Sequence, residues 1–239
     1  MSAGAEAPRY SILVPTLNEH GTIESCIRRI LAVYPRECEV LVINGGADAT
    51  GEIVTALAAE NPAVRHVRNR EDRGKGQAIR VGVSLARAPI HAQIDADLQF
   101  LPEELPRVID PVRTGKADVV LGSRFTDGST RGPGSTPPLR TLGNKAISAY
   151  ASLLFGHRMT DVQAGMKAWS APAMHCIDLH SDNYSYEVEI AAKGVMRGLR
   201  VLDVPITTER RWAGKSNVGL LTAGFGLLRD ISLFRLGLK

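Results

Sequence analysis

The sequence of 239 residues predicts a single α/β domain with a mostly parallel central sheet and helices on both of its faces. Short β-branched runs alternate with segments of helical periodicity over the first 122 residues. The chain is 44% hydrophobic and 23% charged, which is typical of a soluble globular protein. Because a chain of this length can bury one large core, we expect one domain over residues 1–239.

The elements can be assigned in chain order. Five β-branched runs are predicted strands: 11–14, 39–43, 64–67, 90–94 and 118–122. Apolar residues at helical spacing lie between them, and Pro102 followed by two acids predicts a helix start. After residue 125 the pattern predicts, in order, a helix over 140–155, a strand at 167–169, a helix around 186–196 and a strand over 199–206.

Two segments fall outside this alternation. Residues 126–138 are rich in Gly, Pro, Ser and Thr, which predicts a flexible active-site loop. Residues 218–239 are apolar except for a polar stripe at helical spacing, which predicts a C-terminal amphipathic helix. The apolar surface of that helix would either pack on the domain's own core or lie partly in a membrane interface.

Charge and cysteine content exclude several classes of protein. The net charge of +4 suits anionic partners such as nucleotides, phosphates or acidic lipids, and it is too small to indicate nucleic acid. Three cysteines without a CxxC motif exclude a disulfide framework and indicate a reducing compartment. The first residues lack the features of a signal peptide. We therefore expect a cytoplasmic protein, with a peripheral position on the inner face of the membrane left open.

The strongest chemical signal is the run IDADLQF at 94–100. In an extended chain, residues i and i+2 point the same way, so Asp95, Asp97 and Gln99 would converge on one point. Hard oxygen ligands at the carboxyl end of a strand suit Mg²⁺ or Mn²⁺ bound to a diphosphate. The alternative is that these acids only end the strand in a solvated turn, which leaves the basic motifs described next unexplained.

Basic residues recur where other predicted elements begin or end. Lys75 stands between two glycines at a helix start, an anion-binding arrangement. Arg124 ends a strand, Arg140 follows the loop, and residues 210–216 add further cations. A lone surface arginine is usually solvated, but three cationic segments beyond the strands of one sheet together predict phosphate binding.

In this order the motifs resemble glycosyltransferase family 2 with the GT-A fold, over about residues 9–217. The matching motifs are PTLNE, VINGGADAT, RGKGQA, DADLQ, GSRF, DVQAGMKAW and RWAGKS. Within the family, the chain is similar to polyprenyl-phosphate glycosyltransferases of the dolichol-phosphate mannose synthase and dolichyl-phosphate glucosyltransferase type. The resemblance implies inverting transfer of a hexose from GDP- or UDP-hexose to a polyprenyl or dolichyl phosphate.

The resemblance also implies a role for each matching residue. Binding of the nucleotide-sugar donor would fall on Pro15, Glu19, Asn44, Lys75, Asp95 and Ser216. The divalent metal, Mg²⁺ or Mn²⁺, would be held by Asp97 and Gln99. Arg124 and Arg140 would hold the acceptor phosphate, Arg211 would contact the β-phosphate of the donor, and Asp161 would face the donor sugar.

One departure from the family pattern concerns the nucleotide base. Where the family has two consecutive acids, this chain has Ile43 and Asn44, so the identity of the base stays open. Two other functions also stay open: transfer to a small soluble acceptor, and nucleotide-sugar binding without turnover. Arg124 and Arg140 argue against a neutral acceptor, and the intact DADLQ motif argues against loss of turnover.

Two glutamates on the helix predicted around 186–196 are assigned no part in the chemistry. Glu187 and Glu189 would lie about 200° apart around a helix, so they cannot both face one site. Most helical glutamates are solvated, and we expect the same of these two.

Asp97 is expected to be indispensable as a metal ligand. Asp97→Ala should leave the fold intact and lower turnover by more than about tenfold, because the charge of metal and diphosphate would lose its partner. Steady-state rates at saturating metal, with circular dichroism as the control for folding, test this. A variant that keeps more than about a tenth of the wild-type rate would contradict the assignment.

Overall fold

The computed structural model describes residues 7–212 and 220–239, and its centre is a seven-stranded sheet. The strands of this sheet and of a separate short ladder are, in chain order, β1 (Tyr10–Thr16), β2 (Cys38–Asn44), β3 (Val64–Arg68), β4 (Ile90–Gln93), β5 (Val119–Ser123), β6 (Thr130–Arg131), β7 (Lys167–Ser170), β8 (Val201–Pro205) and β9 (Thr207–Thr208). The order in the main sheet is β3-β2-β1-β4-β7-β5-β8, and β6 pairs with β9 in a separate ladder. In the main sheet, β7 runs antiparallel to both of its neighbours, and the other neighbouring strands pair in parallel.

Helices cover both faces of the sheet. They are α1 (Ile23–Val33), α2 (Thr50–Glu60), α3 (Lys75–Leu85), α4 (Leu105–Arg113), α5 (Pro138–Phe155), α6 (Ala171–Ile177), α7 (Ser185–Met196) and α8 (Leu220–Arg235). Buried residues of α1, α2 and α4 form one apolar cluster with the sheet, and those of α3, α5, α6, α7 and α8 form the other. This arrangement confirms the predicted α/β fold.

Alternation along each strand explains the two clusters. In β1, Ile12 and Val14 enter one cluster while Leu13 enters the other. In β2, Val42 and Ile43 divide in the same way. Because both faces are covered, the strands appear in the sequence as continuous apolar runs.

The antiparallel strand β7 determines what reaches the carboxyl edge of the sheet. Its first residue, Lys167, lies in register with Gln93 near the end of β4 and with Leu121 in β5. The preceding segment, 160–166, therefore lies beside the carboxyl ends of the parallel strands, where ligands bind in open α/β sheets.

The structure refines three of the predicted boundaries. The predicted strand 90–94 ends one residue earlier, and the predicted strand 199–206 is β8, followed after one residue by β9. Within the predicted loop 126–138, β6 pairs with β9, and the N–H of Gly132 donates to Thr208 O at 2.8 Å. This ladder ties the loop to the segment that follows β8. The flexibility of the loop stays a prediction.

The predicted helix over 218–239 is shorter in the structure. Residues 218 and 219 lie outside the described part, and α8 ends at Arg235. Gly237 takes a left-handed conformation (φ 67°), and beyond it Lys239 pairs with Asp230. Asp230 also accepts a hydrogen bond at 2.6 Å from Ser185, the first residue of α7. The end of the chain is therefore folded back onto α8, and α8 is tied to α7.

The apolar surface of α8 divides between core and solvent. Leu227, Ile231 and Phe234 are buried, while Phe225 and Leu238 are about 70% exposed or more. Within residues 7–212 and 220–239, none of the helices combines the length and the hydropathy that crossing a bilayer requires. Packing on the domain's own core is therefore confirmed for three residues, and the membrane interface stays a prediction.

Candidate active site

A cavity of about 790 Å³ opens at the carboxyl edge of the sheet. Its walls come from the ends of β4 and β5, the first turns of α3, α5 and α7, residues 210–211 and one side of α8. Six side chains that the sequence singled out line this cavity: Lys75, Asp95, Gln99, Arg124, Arg140 and Arg211. Parallel strands bring these distant segments to one edge, as the predicted fold requires.

The DADLQ segment takes a different shape from the one expected. β4 ends at Gln93, residues 95–99 form a turn, and the buried Leu98 has a left-handed φ of 58°. The expectation that an extended strand aligns Asp95, Asp97 and Gln99 is therefore wrong. Such a backbone conformation costs a residue with a side chain on the order of 1–2 kcal/mol, so packing around Leu98 must hold it.

A neighbouring segment fixes the turn instead. The N–H of Glu209 donates to Gln99 O at 2.9 Å, and the N–H of Trp212 donates to Asp97 O at 3.3 Å. This pairing brings the Arg211 side chain over the turn, where its Nε lies 2.8 Å from Asp97 Oδ2. Asp97 is thus buried behind Arg211, whereas Asp95 and Gln99 reach the cavity wall.

Negative charge is crowded around this turn. Burial, and next the charge of Asp95, raise the pKa of Asp97. Burial, and next the charge of Asp97, raise the pKa of Glu19 to about 7. Both shifts oppose ionisation, and a bound cation would relieve the repulsion that contributes to them.

The donor atoms fit a divalent cation held jointly with a ligand. In the described part of the chain, no three His, Cys, Asp or Glu side chains are grouped to hold a metal. Asp97 offers a carboxylate, and Gln99 donates its Nε2 hydrogen to Ser135 O, which leaves the amide oxygen as its acceptor atom. Such hard oxygen donors suit Mg²⁺ or Mn²⁺, which take their remaining ligands from phosphate and water.

Arg124 is held by a buried carboxylate. Its Nε and Nη2 donate to the two oxygens of Asp161 at 2.6 and 2.9 Å, and its backbone N–H donates to Asp161 Oδ2 at 3.1 Å. Asp161 is fully buried behind Arg124 and is absent from the cavity wall. Asp161 therefore holds the guanidinium of Arg124 in the structure, and its contact with the donor sugar stays a prediction.

The cavity also carries crowded positive charge. Arg140 in the first turn of α5 joins Arg210, Arg211 and Arg124 in its lining. Burial, and next the charges of Arg211 and Arg124, lower the pKa of Arg140. Like charges placed this close are stabilised by a bound anion, and arginine forks suit phosphate oxygens.

The remaining predicted residues do not line this cavity. Pro15, Glu19 and Asn44 lie at or just beyond the ends of β1 and β2, outside the cavity lining, and Ser216 lies outside the described residues. Asn44 accepts the N–H of Gly46 at 2.9 Å and borders a second cavity of about 630 Å³ beside α2. Ile43 is fully buried in the core, which explains why no charged residue stands there.

The sequence interpretation missed Glu187. Both Glu187 and Glu189 are buried, so the expectation that they are solvated is wrong. They do face different partners: Glu187 lies 2.9 Å from Lys75 Nζ in the cavity, and Glu189 pairs with Lys193 at 2.5 Å. The available signal was that the helix YEVEIAA is apolar on several sides, since such a helix is buried all round.

Comparison with known proteins agrees with this geometry. Residues 11–168 match the model of the family described as glycosyl transferase family 2. The low-salt glycan biosynthesis hexosyltransferase Agl6 of Haloferax volcanii is 32% identical over 230 residues, which cover 93% of this chain and 53% of that protein. The undecaprenyl-phosphate mannosyltransferase of Micrococcus luteus is 32% identical over 217 residues, 88% of this chain and 87% of that one. The chain thus spans about half the length of the Haloferax protein.

A solved structure shares the fold. Glucosyl-3-phosphoglycerate synthase from Mycobacterium tuberculosis, in complex with Mn²⁺, UDP and glucosyl-3-phosphoglycerate, superposes with a TM-score of 0.72 at 22% identity. The match covers 98% of this chain and 82% of that one. Fold and cavity together define a glycosyltransferase with a GT-A-like domain. More narrowly, this chain belongs to glycosyl transferase family 2.

The two arginines should differ in what their loss does. Arg124→Ala leaves the buried Asp161 carboxylate unpaired, so we expect a loss of about 3–5 kcal/mol in the free energy of unfolding as well as weaker binding of a phosphate acceptor. Arg140→Ala should weaken acceptor binding and lower the free energy of unfolding by less than Arg124→Ala does, because Arg140 is partly exposed and Arg124 is buried. Urea unfolding and separate titrations of donor and acceptor measure both effects.

Lysine should rescue either position only in part, because it cannot form the two-pronged contact of a guanidinium. Collapse of donor binding with unchanged acceptor affinity would show that the phosphate roles are reversed. Equal stability of the two alanine variants would contradict the role given to the Arg124–Asp161 pair.

Proposed function

We propose that this chain transfers a hexose, with inversion, from a nucleoside-diphosphate sugar to a polyprenyl phosphate, with Mg²⁺ or Mn²⁺ on the donor diphosphate. The name of the Micrococcus relative, undecaprenyl-phosphate mannosyltransferase, supports this acceptor class at 32% identity. The sugar and the base of the donor, GDP- or UDP-linked, remain open in the proposal.

The observation that carries the proposal is the polarity of the cavity. The lining of the cavity includes Arg124, Arg140 and Arg211. It also includes apolar residues of α5 and α8: Leu139, Ile147, Phe225, Leu227 and Leu228. A polyprenyl phosphate carries both kinds of group, an anionic head followed by a branched apolar tail, and burial of such a tail is favourable.

The chemistry suits a site rich in arginine. A phosphate monoester is already largely anionic at pH 7, so attack by its oxygen on the anomeric carbon needs positioning more than proton removal. Consistent with this, the described residues that line the cavity include no histidine. Arg211, 2.8 Å from Asp97, would take up charge on the leaving diphosphate. A cation held by Asp97 and Gln99 would neutralise further charge on the same group.

A small soluble acceptor fits the cavity less well. Such an acceptor would leave the apolar residues of α5 and α8 in contact with water, and a neutral one would also leave the arginines without an anion. A protein that binds nucleotide sugar without turnover would use Arg211 for the diphosphate, but it would have no use for the apolar residues.

The test compares acceptors that differ by one feature. Labelled UDP-glucose and GDP-mannose are offered, with Mg²⁺ or Mn²⁺, to undecaprenyl phosphate, undecaprenol and 3-phosphoglycerate. We expect transfer to undecaprenyl phosphate to exceed transfer to the other two by at least about tenfold, and to stop with EDTA. Faster transfer to 3-phosphoglycerate would favour a soluble acceptor, and donor binding without any transfer would favour a protein that has lost turnover.

We further propose that the mouth of the cavity lies against a membrane surface. On the rim, the side chains of Leu139 and Phe225 are 66% and 75% exposed, and Leu142 on the same helix as Leu139 is 66% exposed. Arg140 stands beside them on α5 and could meet anionic headgroups. Two cations in the polar stripe of residues 218–239, Arg229 and Lys239, both pair with Asp230. We therefore expect the apolar residues to contribute more to membrane binding than these charges do.

Vesicle co-sedimentation tests this contact. We expect the full chain to pellet with vesicles that contain anionic lipid at low salt, and to pellet less as salt rises. Replacing Leu139, Leu142 and Phe225 together by serine should reduce pelleting several-fold, whereas Met196→Ser, an exposed site on α7, should not. Equal pelleting of the triple variant and the wild type, or no pelleting of the wild type, would contradict membrane contact.

A further inference from the structure

Three charged side chains from distant segments meet on the floor of the cavity. Lys75 begins α3, Asp95 follows β4, and Glu187 lies in the first turn of α7. Lys75 Nζ lies 2.7 Å from Asp95 Oδ1 and 2.9 Å from Glu187 Oε1. All three line the cavity, and each side chain is at most one-fifth exposed. One ammonium group shared by two carboxylates leaves the floor with a net negative charge, opposite in sign to the arginines of the lining.

These contacts close into a ring of side chains. Gln93 Nε2 donates to the Tyr186 hydroxyl at 2.9 Å, and that hydroxyl donates to Glu187 Oε1 at 3.2 Å. Lys75 then connects Glu187 to Asp95, which is two residues beyond Gln93 on the same strand end. The ring therefore starts and ends on one backbone segment, and a chain of hydrogen bonds and ion pairs holds each member more firmly than one pair does.

Asp95 is confined on its other side by backbone. A Cβ on Gly165 would overlap Asp95 Oδ2, so the glycine lets the chain pack directly against the carboxylate. The position of the Asp95 carboxylate then depends on the Lys75 ammonium, which lies at the end of a flexible four-carbon stem. Glu187 is the second anchor of that ammonium, and without it Lys75 would be free to follow a bound phosphate.

The same floor offers acceptors for hydroxyl groups. Gln163 lines the cavity, and its Oε1 is buried without a hydrogen-bond partner among the described residues. Asp95 and Glu187 add carboxylate oxygens beside it. A sugar carries several hydroxyl donors, and an unpaired buried acceptor costs about 1–3 kcal/mol until such a donor binds.

We propose that Glu187 is a positioning residue for sugar transfer: by anchoring Lys75 it fixes the Asp95 carboxylate against the hexose of the donor. The inference rests on the proposed glycosyl transfer and does not depend on which acceptor is used. Glu187 acts through Lys75, and its effect falls on the sugar rather than on the nucleoside diphosphate.

The test uses the full chain and two glutamates on one helix. Glu187→Gln keeps the size of the side chain and removes its charge. Glu189→Gln makes the same change two residues later, where the side chain pairs with Lys193 and accepts the N–H groups of residues 180 and 181, away from the cavity. Turnover of UDP-glucose and GDP-mannose is measured with undecaprenyl phosphate and with 3-phosphoglycerate. Affinities for UDP-glucose, UDP, GDP-mannose and GDP are measured by titration.

We expect Glu187→Gln to lower kcat by about tenfold or more and to weaken binding of the nucleotide sugar relative to the free nucleoside diphosphate. Affinity for UDP or GDP alone should stay within about threefold of wild type. Tyr186→Phe, which opens the ring at its other end, should lower kcat by a smaller factor. Glu189→Gln should leave both kcat and the ratio of affinities unchanged. A fall in its melting temperature as large as that of Glu187→Gln is compatible with this expectation.

Three results would overturn the proposal. One is a Glu187→Gln variant whose kcat and ratio of affinities both stay within about threefold of wild type. Another is an equal loss in both glutamine variants, which indicates general damage to α7. The third is a wild type that binds none of the four nucleotides. Transfer to 3-phosphoglycerate in place of the lipid would contradict the acceptor proposed above, and the comparison of Glu187 with Glu189 would then be made on that acceptor.

Discussion

Charged groups buried at the carboxyl edge of the sheet must be paired, and the arrangement of the site follows from that requirement. Asp97 is paired with Arg211, Asp161 with Arg124, and Lys75 with two carboxylates at once. Each pair joins segments that are far apart in the chain, so the pairs hold the loops of the edge to one another. Arginines and carboxylates therefore line the same cavity.

The sequence predicted the strands of the main sheet but not the antiparallel direction of one of them. β-branched runs and helical stripes predicted the strands and most helices because both patterns are local. The antiparallel direction of β7 is set by its neighbours β4 and β5, which no local pattern records. The motifs likewise predicted six side chains of the cavity, whereas the roles of Asp161 and Glu187 depend on partners 37 and 112 residues away.

The C-terminal helix shows how one segment can serve two surroundings. Leu227 and Ile231 complete the core, and Phe225 remains exposed at the rim of the cavity. A hydrophobic pattern in the sequence reports only that a face is apolar, not which neighbour covers it. The sequence therefore could not predict which residues of this helix pack against α5 and α7.

The short ladder between β6 and β9 has a mechanical consequence. It joins the segment 126–138 to residues 207–208, directly before Arg210 and Arg211. The loop contributes Ser135 to the cavity wall and leads to Arg140 on α5. The ladder therefore couples this loop to the residues that follow β9, which include Arg211 over the DADLQ turn. A displacement of either segment would therefore act on the other, so the ladder restrains the loop and the arginine segment together.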